Sequence, residues 1–166
     1  MVEQWHDFFL AQAGAAGVLT GLVFVGVSIN LQMIVSDPNS GLAGRAAEAL
    51  ILLVAVLVAS VLVLVPEQGV GVLGAEVLAV GLACWGWIVY IQLPRLREWG
   101  TMRADLRVSF VLRVVLGQVA TLTLVIAGVA MFLVGLGGLY WLVASTIFSI
   151  LAALADAWVL LVEINR

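Results

Sequence analysis

Two charged residues stand among side chains that would dissolve in hydrocarbon: Asp156 in "LAALADAWVLL" and Arg113 in "VSFVLRVVLGQ". A charge at the centre of a bilayer costs about 2.5–3.5 kcal/mol on insertion scales, and pairing with an opposite charge is the usual remedy. The chemistry open to these two is an intramembrane ion pair between Asp156 and Arg113. Arg113 has a second outlet, because its long stem lets the guanidinium reach the headgroups. The short Asp156 side chain has none, so it is the one that needs a partner. A buried carboxylate can also carry a proton or a cation, which makes Asp156, Glu48 in "AAEAL" and Glu76 in "VLGAEVLAV" a candidate ion or proton site. Glu76 lies apart from the other two, at the level of Gln12 and Thr20. It reads either as a structural acid hydrogen-bonded to a neighbour or as a separate outer site.

Two rows of small and polar residues accompany these charges. Ser145, Ser149, Ala152, Asp156 and Glu163 follow at spacings of 4, 3, 4 and 7, which keeps them on one helical face. Gly14, Gly17, Gly21, Ser28 and Gln32 follow the same rhythm earlier in the chain and include the GxxxG arrangement "GVLTG". Small residues let two helix backbones approach closely, and hydroxyls can bond across the contact. Each row is therefore expected to be a helix-packing seam or, alternatively, the lining of a water-filled path. Asn30, Gln32, Glu48, Arg113 and Asp156 are expected at one depth, either as a cytoplasmic vestibule or as residues that never meet.

Reactive constellations are scarce. The one histidine, His6, and the one cysteine, Cys84, cannot supply a metal site or a Cys–His pair with any nearby carboxylate spacing. No Ser–His–Asp set, phosphate-cradling glycine loop or large loop is present to house a soluble active site. The sequence predicts no enzyme, no cofactor and no metal. A formal charge of −3 gives no basic surface for nucleic acid.

The elements that must carry these residues follow from composition. Hydrophobic residues make up 64% of the 166 positions and charged ones 10%, with a mean hydropathy of +1.23; soluble domains are about half apolar and about a quarter charged. A helix needs about 20 apolar residues to cross the hydrocarbon core. Five runs reach that length, at about residues 8–35, 46–65, 70–93, 108–136 and 139–164. They are separated by "SDPNSG", "PEQG", "PRLREWGTMR" and "GLGG", which carry the Pro and Gly expected at helix ends. The start "MVEQWHD" lacks the basic residues of a signal peptide, so the first run is expected to be retained.

Arginine gives the orientation. Arg45, Arg95, Arg97, Arg103, Arg107 and Arg166 would share one side, while the N-terminus, "PEQG" and "GLGG" carry no basic residue. The positive-inside rule then places the N-terminus outside and the C-terminus in the cytoplasm. Trp5 and Trp141 beside Tyr140 fall at the outer surface; Trp87, Tyr90, Trp99 and Trp158 fall near the inner one, as aromatic belts require. The segment "PRLREWGTMRADLR" is expected as a surface amphipathic helix or as a solvated basic loop.

The stretch "AAGVLTGLVFVGVSINL", residues 15–31, resembles the first helix of short, uncharacterised bacterial multi-span inner-membrane proteins. The resemblance covers that helix and the multi-span layout. It implies a bacterial inner membrane and carries over no ligand, reaction or site. The expected fold is thus all-α: one five-helix integral membrane bundle in contact with lipid. The expected function is that of a self-associating structural or interaction protein, with a homo-oligomer and another membrane protein as its expected partners. The alternative is a small oligomeric ion channel or transporter whose path is lined by the first and fifth spans.

Overall fold

The computed structural model describes residues 2–36, 41–97, 100 and 104–164. Its elements are α1 (Val2–Ile29), α2 (Leu31–Ser36), α3 (Leu42–Val63), α4 (Val70–Arg97), α5 (Ala104–Val134), a 3₁₀ turn (Gly135–Gly138) and α6 (Leu139–Ile164). No strand occurs among the described residues. Four stretches are long and apolar enough to cross a membrane: Trp5–Ile29, Leu42–Val63, Val70–Arg97 and Arg107–Leu160. The last of these holds both α5 and α6. Trp99, Arg103 and Arg166, used above for orientation, lie outside the described residues; of the expected surface segment, residues 94–97 end α4 and residues 104–107 begin α5, while 98, 99 and 101–103 are outside the described residues.

Two helix ends depart from the sequence expectation. The first run is predicted as one continuous span to residue 35, yet α1 stops at Ile29 and a short α2 begins at Leu31. The break falls on Asn30, whose side-chain amide donates to the Gly26 carbonyl at 2.9 Å. Its own carbonyl accepts from the Met33 and Ile34 amides at 3.1 and 3.0 Å. An asparagine that bonds local backbone offers the chain an alternative to the helical ladder. The second departure is α4, which continues through Pro94 to Arg97. Proline removes one backbone donor, and so close to the helix end that single lost bond does not stop the last turn.

Helix α3 is central: α1, α6, α4 and α2 all pack on it, while α4–α5 and α5–α6 are the broadest contacts. Apolar burial does little to drive helices together in lipid, so close packing has to. At the α4–α5 crossing a Cβ on Gly128 would lie 2.6–2.7 Å from Leu78, and one on Gly81 would lie 3.0 Å from the Val125 amide. Only glycine permits that approach. One end of the bundle is filled by Phe9, Val63, Leu73, Val77, Met131 and Leu142. Further along, the core is alanine-rich, with Ala49, Ala120, Ala152 and Ala153 among Leu52, Leu53 and Ile88.

Helix α1 is the peripheral member. Phe9, Gln12 and Ala16 form its buried side, and Gln12 Nε2 donates to Ser60 Oγ on α3 at 2.8 Å. Gly14, Gly21, Ser28 and Gln32 are exposed, and Gly17 is half-buried. No atom lies within 4 Å of a Cβ built on Gly14, Gly17, Gly21 or Gly26. The predicted packing face of the first span is therefore not a seam within this chain. The reason is periodicity: the row lies roughly opposite the Phe9–Gln12–Ala16 side, which α3 covers.

Candidate functional site

The first turn of α3 sets Arg45 and, one turn on, Glu48 on the side of the helix that meets α5 and α6. Arg45 Nη1 donates to Asp156 Oδ1 at 3.1 Å. The same oxygen lies 3.4 Å from Arg113 Nε. On its other side Arg113 reaches Glu48, with Nη2 to Oε2 at 2.5 Å. These last two atoms are in ion-pair contact without hydrogen-bond alignment, since neither has a geometrically satisfied partner. Side-chain exposure is 0% for Glu48, 2% for Asp156 and 6% for Arg113, so the set is enclosed by protein.

Amides extend the set across the bundle. Gln92 Nε2 on α4 donates to Glu48 Oε1 at 2.8 Å. Gln118 Nε2 on α5 donates to Gln92 Oε1 at 3.0 Å, and Trp85 Nε1 donates to Gln118 Oε1 at 2.9 Å. A continuous polar chain thus runs Arg45–Asp156–Arg113–Glu48–Gln92–Gln118–Trp85 through α3, α4, α5 and α6. Gly117 makes room for it: a Cβ there would sit 2.6 Å from Glu48 Oε1 and 3.2 Å from Gln92 Nε2. With two guanidiniums and two carboxylates the charges cancel, and such a balanced set is far cheaper to bury than any one of its members.

The predicted Arg113–Asp156 pair is therefore one contact within a larger set, and it is the looser one. Glu48 is the nearer acid to Arg113, and Arg45 makes the shorter contact to Asp156. Arg113 stays inside the protein, buried between Glu48 and Asp156. Depth also reads differently from the structure. Counted along α6, Asp156 lies about 12 Å before the helix end. Counted along α3, its partner Arg45 lies only about 5 Å from the helix start. The α5 and α6 ends reach past α3, and the acid sits close below the point where α3 begins.

The other expected residues separate. Of the expected polar vestibule, Glu48, Arg113 and Asp156 come together; Asn30 is bonded within its own helix and Gln32 is exposed. Glu76 accepts from Gln68 Nε2 at 2.5 Å, far from the other two acids along the helices. Gln12 and Thr20 do not join it, for Gln12 bonds Ser60 and Thr20 bonds the Ala16 carbonyl. Ser145 and Ser149 are buried, and Ser145 Oγ donates to the Ala120 carbonyl of α5 at 2.8 Å. They belong to a packing seam within the chain. The first-span and fifth-span rows do not face a common path, one being turned outward and the other inward. Glu163 falls where side chains are not described.

Sequence reasoning missed Arg45, counted above only as a loop arginine, and missed Gln92, Gln118 and Trp85. The signal for the glutamines was available, since an amide in an apolar helix must find a partner. No group of three metal-ligating side chains occurs among the described residues. No protein-family model, curated protein or solved structure matches the chain. The buried charge set is thus interpreted from its own geometry.

Proposed function

We propose that the protein is a five-crossing bacterial inner-membrane protein, N-terminus outside, that self-associates through α1 and serves as a structural or interaction component, not as an enzyme. Five crossings follow from splitting the stretch Arg107–Leu160. Its 54 residues would extend about 81 Å as one helix, against a hydrocarbon core of about 30 Å. The chain turns at Gly135–Gly138 and α6 packs back along α5. Orientation rests on the arginine asymmetry.

One observation carries the self-association reading. Glycines on α4 and α5 meet neighbouring atoms at their contact, whereas all four glycines of α1 face open space. A row of small residues on a lipid-facing helix suits close backbone contact with a second copy. Gly17→Leu and Gly21→Leu test this in native membranes by cysteine cross-linking along α1. The expected result is loss of the cross-linked dimer with an unchanged unfolding midpoint; full retention of the dimer overturns the reading.

The second reading, a small oligomeric ion channel or transporter, draws on Glu48 and on Asp156, which lines a surface cleft together with Arg45 and Arg113. Burial of Ser145 and Ser149 leaves only the α1 row for an intersubunit lining. Ion flux into liposomes, wild type against Asp156→Asn and Glu76→Gln, separates the two readings. Flux that is lost in either variant would favour the channel.

A further inference from the structure

A cavity separate from the charge set lies at the opposite end of the bundle. It measures about 360 Å³, and its floor is made by three buried side chains, Val63 from α3, Leu73 from α4 and Leu139 from α6. Its rim carries His6 from α1, with Val65 and Glu67 from the turn between α3 and α4, all of them exposed. A concave site of about 300–1,000 Å³ with an apolar floor and a few polar groups is the usual form of a small-molecule site. The turn decides which polar group is available there. Gln68, also at the cavity, is engaged with Glu76, whereas the Glu67 carboxylate has no partner among the described residues. Glu67 holds its place with a φ of 58°, in the left-handed region that residues other than glycine rarely adopt. Every arginine lies toward the other helix ends and the chain has no lysine, so Asp7, Glu67 and Glu76 meet no basic Lys or Arg side chain at this end.

We propose that this cavity binds a small organic cation, a primary ammonium on an apolar body. The body rests on Val63, Leu73 and Leu139, and the ammonium stays at the rim and donates to the Glu67 carboxylate. Floor and rim together select this class. The floor side chains carry no polar atom, so a polar body would lose its water and gain no hydrogen bond there. The rim discriminates by sign: an anion would face Glu67 with no arginine beside it, and a neutral group would gain no Coulomb attraction. Neutral His6, at the same rim, adds an imidazole nitrogen that can accept a second hydrogen bond from the ammonium. Both rim groups are exposed, so a ligand arriving from outside reaches them first and the floor after them. The proposal rests neither on self-association nor on the number of crossings.

The test is isothermal titration calorimetry of the full chain in phosphatidylcholine nanodiscs at pH 7, with the heat from empty nanodiscs subtracted. The probes share one body and differ in charge: 2-phenylethylammonium, 2-phenylethanol and 3-phenylpropionate. Affinity is expected to fall in that order, the ammonium exceeding the alcohol by about fivefold, the upper range for an ion pair that keeps one side in water. Glu67→Gln keeps the length of the side chain and removes its charge. It should bring the ammonium down to the alcohol and leave the alcohol unchanged. Val65→Trp fills the cavity from a rim position that is 44% exposed, and should weaken the ammonium and the alcohol by about tenfold or more. Equal binding of ammonium and alcohol by the wild type overturns the proposal, as does an ammonium margin that persists in Glu67→Gln. A cavity occupied only by lipid acyl chains would bind no probe above the empty nanodiscs, which overturns it too. Unaltered affinity in Val65→Trp would place the binding elsewhere and overturn it as well; if that variant does not fold, Glu67→Gln decides alone.

Discussion

Removing the Glu48 carboxylate probes the charge set most directly, because Glu48 has one cationic partner whereas Asp156 has two. Opposite unit charges at the 2.5 Å of the Arg113–Glu48 contact attract by about 7 kcal/mol at an effective dielectric constant of about 20; at the 3.4 Å of the Arg113–Asp156 contact the figure is about 5 kcal/mol. These are gross terms, largely offset by the desolvation of the ions. The measurable quantity is the imbalance left when one member is removed. Glu48→Gln retains the oxygen that accepts from Gln92 but leaves Arg113 with roughly half of its compensation. The expected cost is about 3–5 kcal/mol, the range for a buried pair broken on one side. Arg113→Gln, which strands Glu48, should cost a similar amount. The double variant restores neutrality, and its cost should fall short of the sum by at least about 2 kcal/mol. Reversible unfolding in mixed micelles, followed by far-ultraviolet circular dichroism, gives the four free energies of the cycle. Additivity within about 0.5 kcal/mol would refute the claim that the two charges stabilise each other.

Other positions give independent checks by the same unfolding assay. Gly117→Ala pushes a methyl toward Glu48 Oε1 and should cost about 1–3 kcal/mol. Gly128→Ala should cost more, because its Cβ meets Leu78 backbone, which cannot rotate away. Gly21→Ala, by contrast, meets nothing and should be neutral or stabilising by up to about 1 kcal/mol for the isolated chain. Ser60→Ala removes the acceptor bonded by Gln12 and should cost about 1–3 kcal/mol.

Much of the fold was legible because the bilayer limits the choices. Backbone polar groups have no water partner there, so long apolar runs become helices. The predicted starts of the third and fifth runs, at residues 70 and 139, coincide with those of α4 and α6. What hydropathy could not show was the break at Asn30, which depends on one side chain competing for local backbone bonds. Nor could it show the continuation through Pro94, which depends on how little a helix loses in its last turn. The α4–α5 crossing was also missed. Gly81 and Gly128 stand among apolar residues with no GxxxG spacing between them, and their meeting is a property of two helices, not of one.

The charge set shows where a reading along one helix fails. Counting residues inward from the end of α6 makes Asp156 deep and directs attention to Arg113, its counterpart on the adjoining helix. Helices in a bundle do not begin at a common level, however. Because α3 starts lower than α5 and α6 end, a residue of its first turn reaches the same oxygen that Arg113 approaches. In the sequence Arg45 reads only as a topological marker; its role as a partner for a buried acid depends on the relative stagger of three helices. An acid that looked like a solitary cost in the middle of a span is, in the folded chain, one of four charges drawn together from three helices.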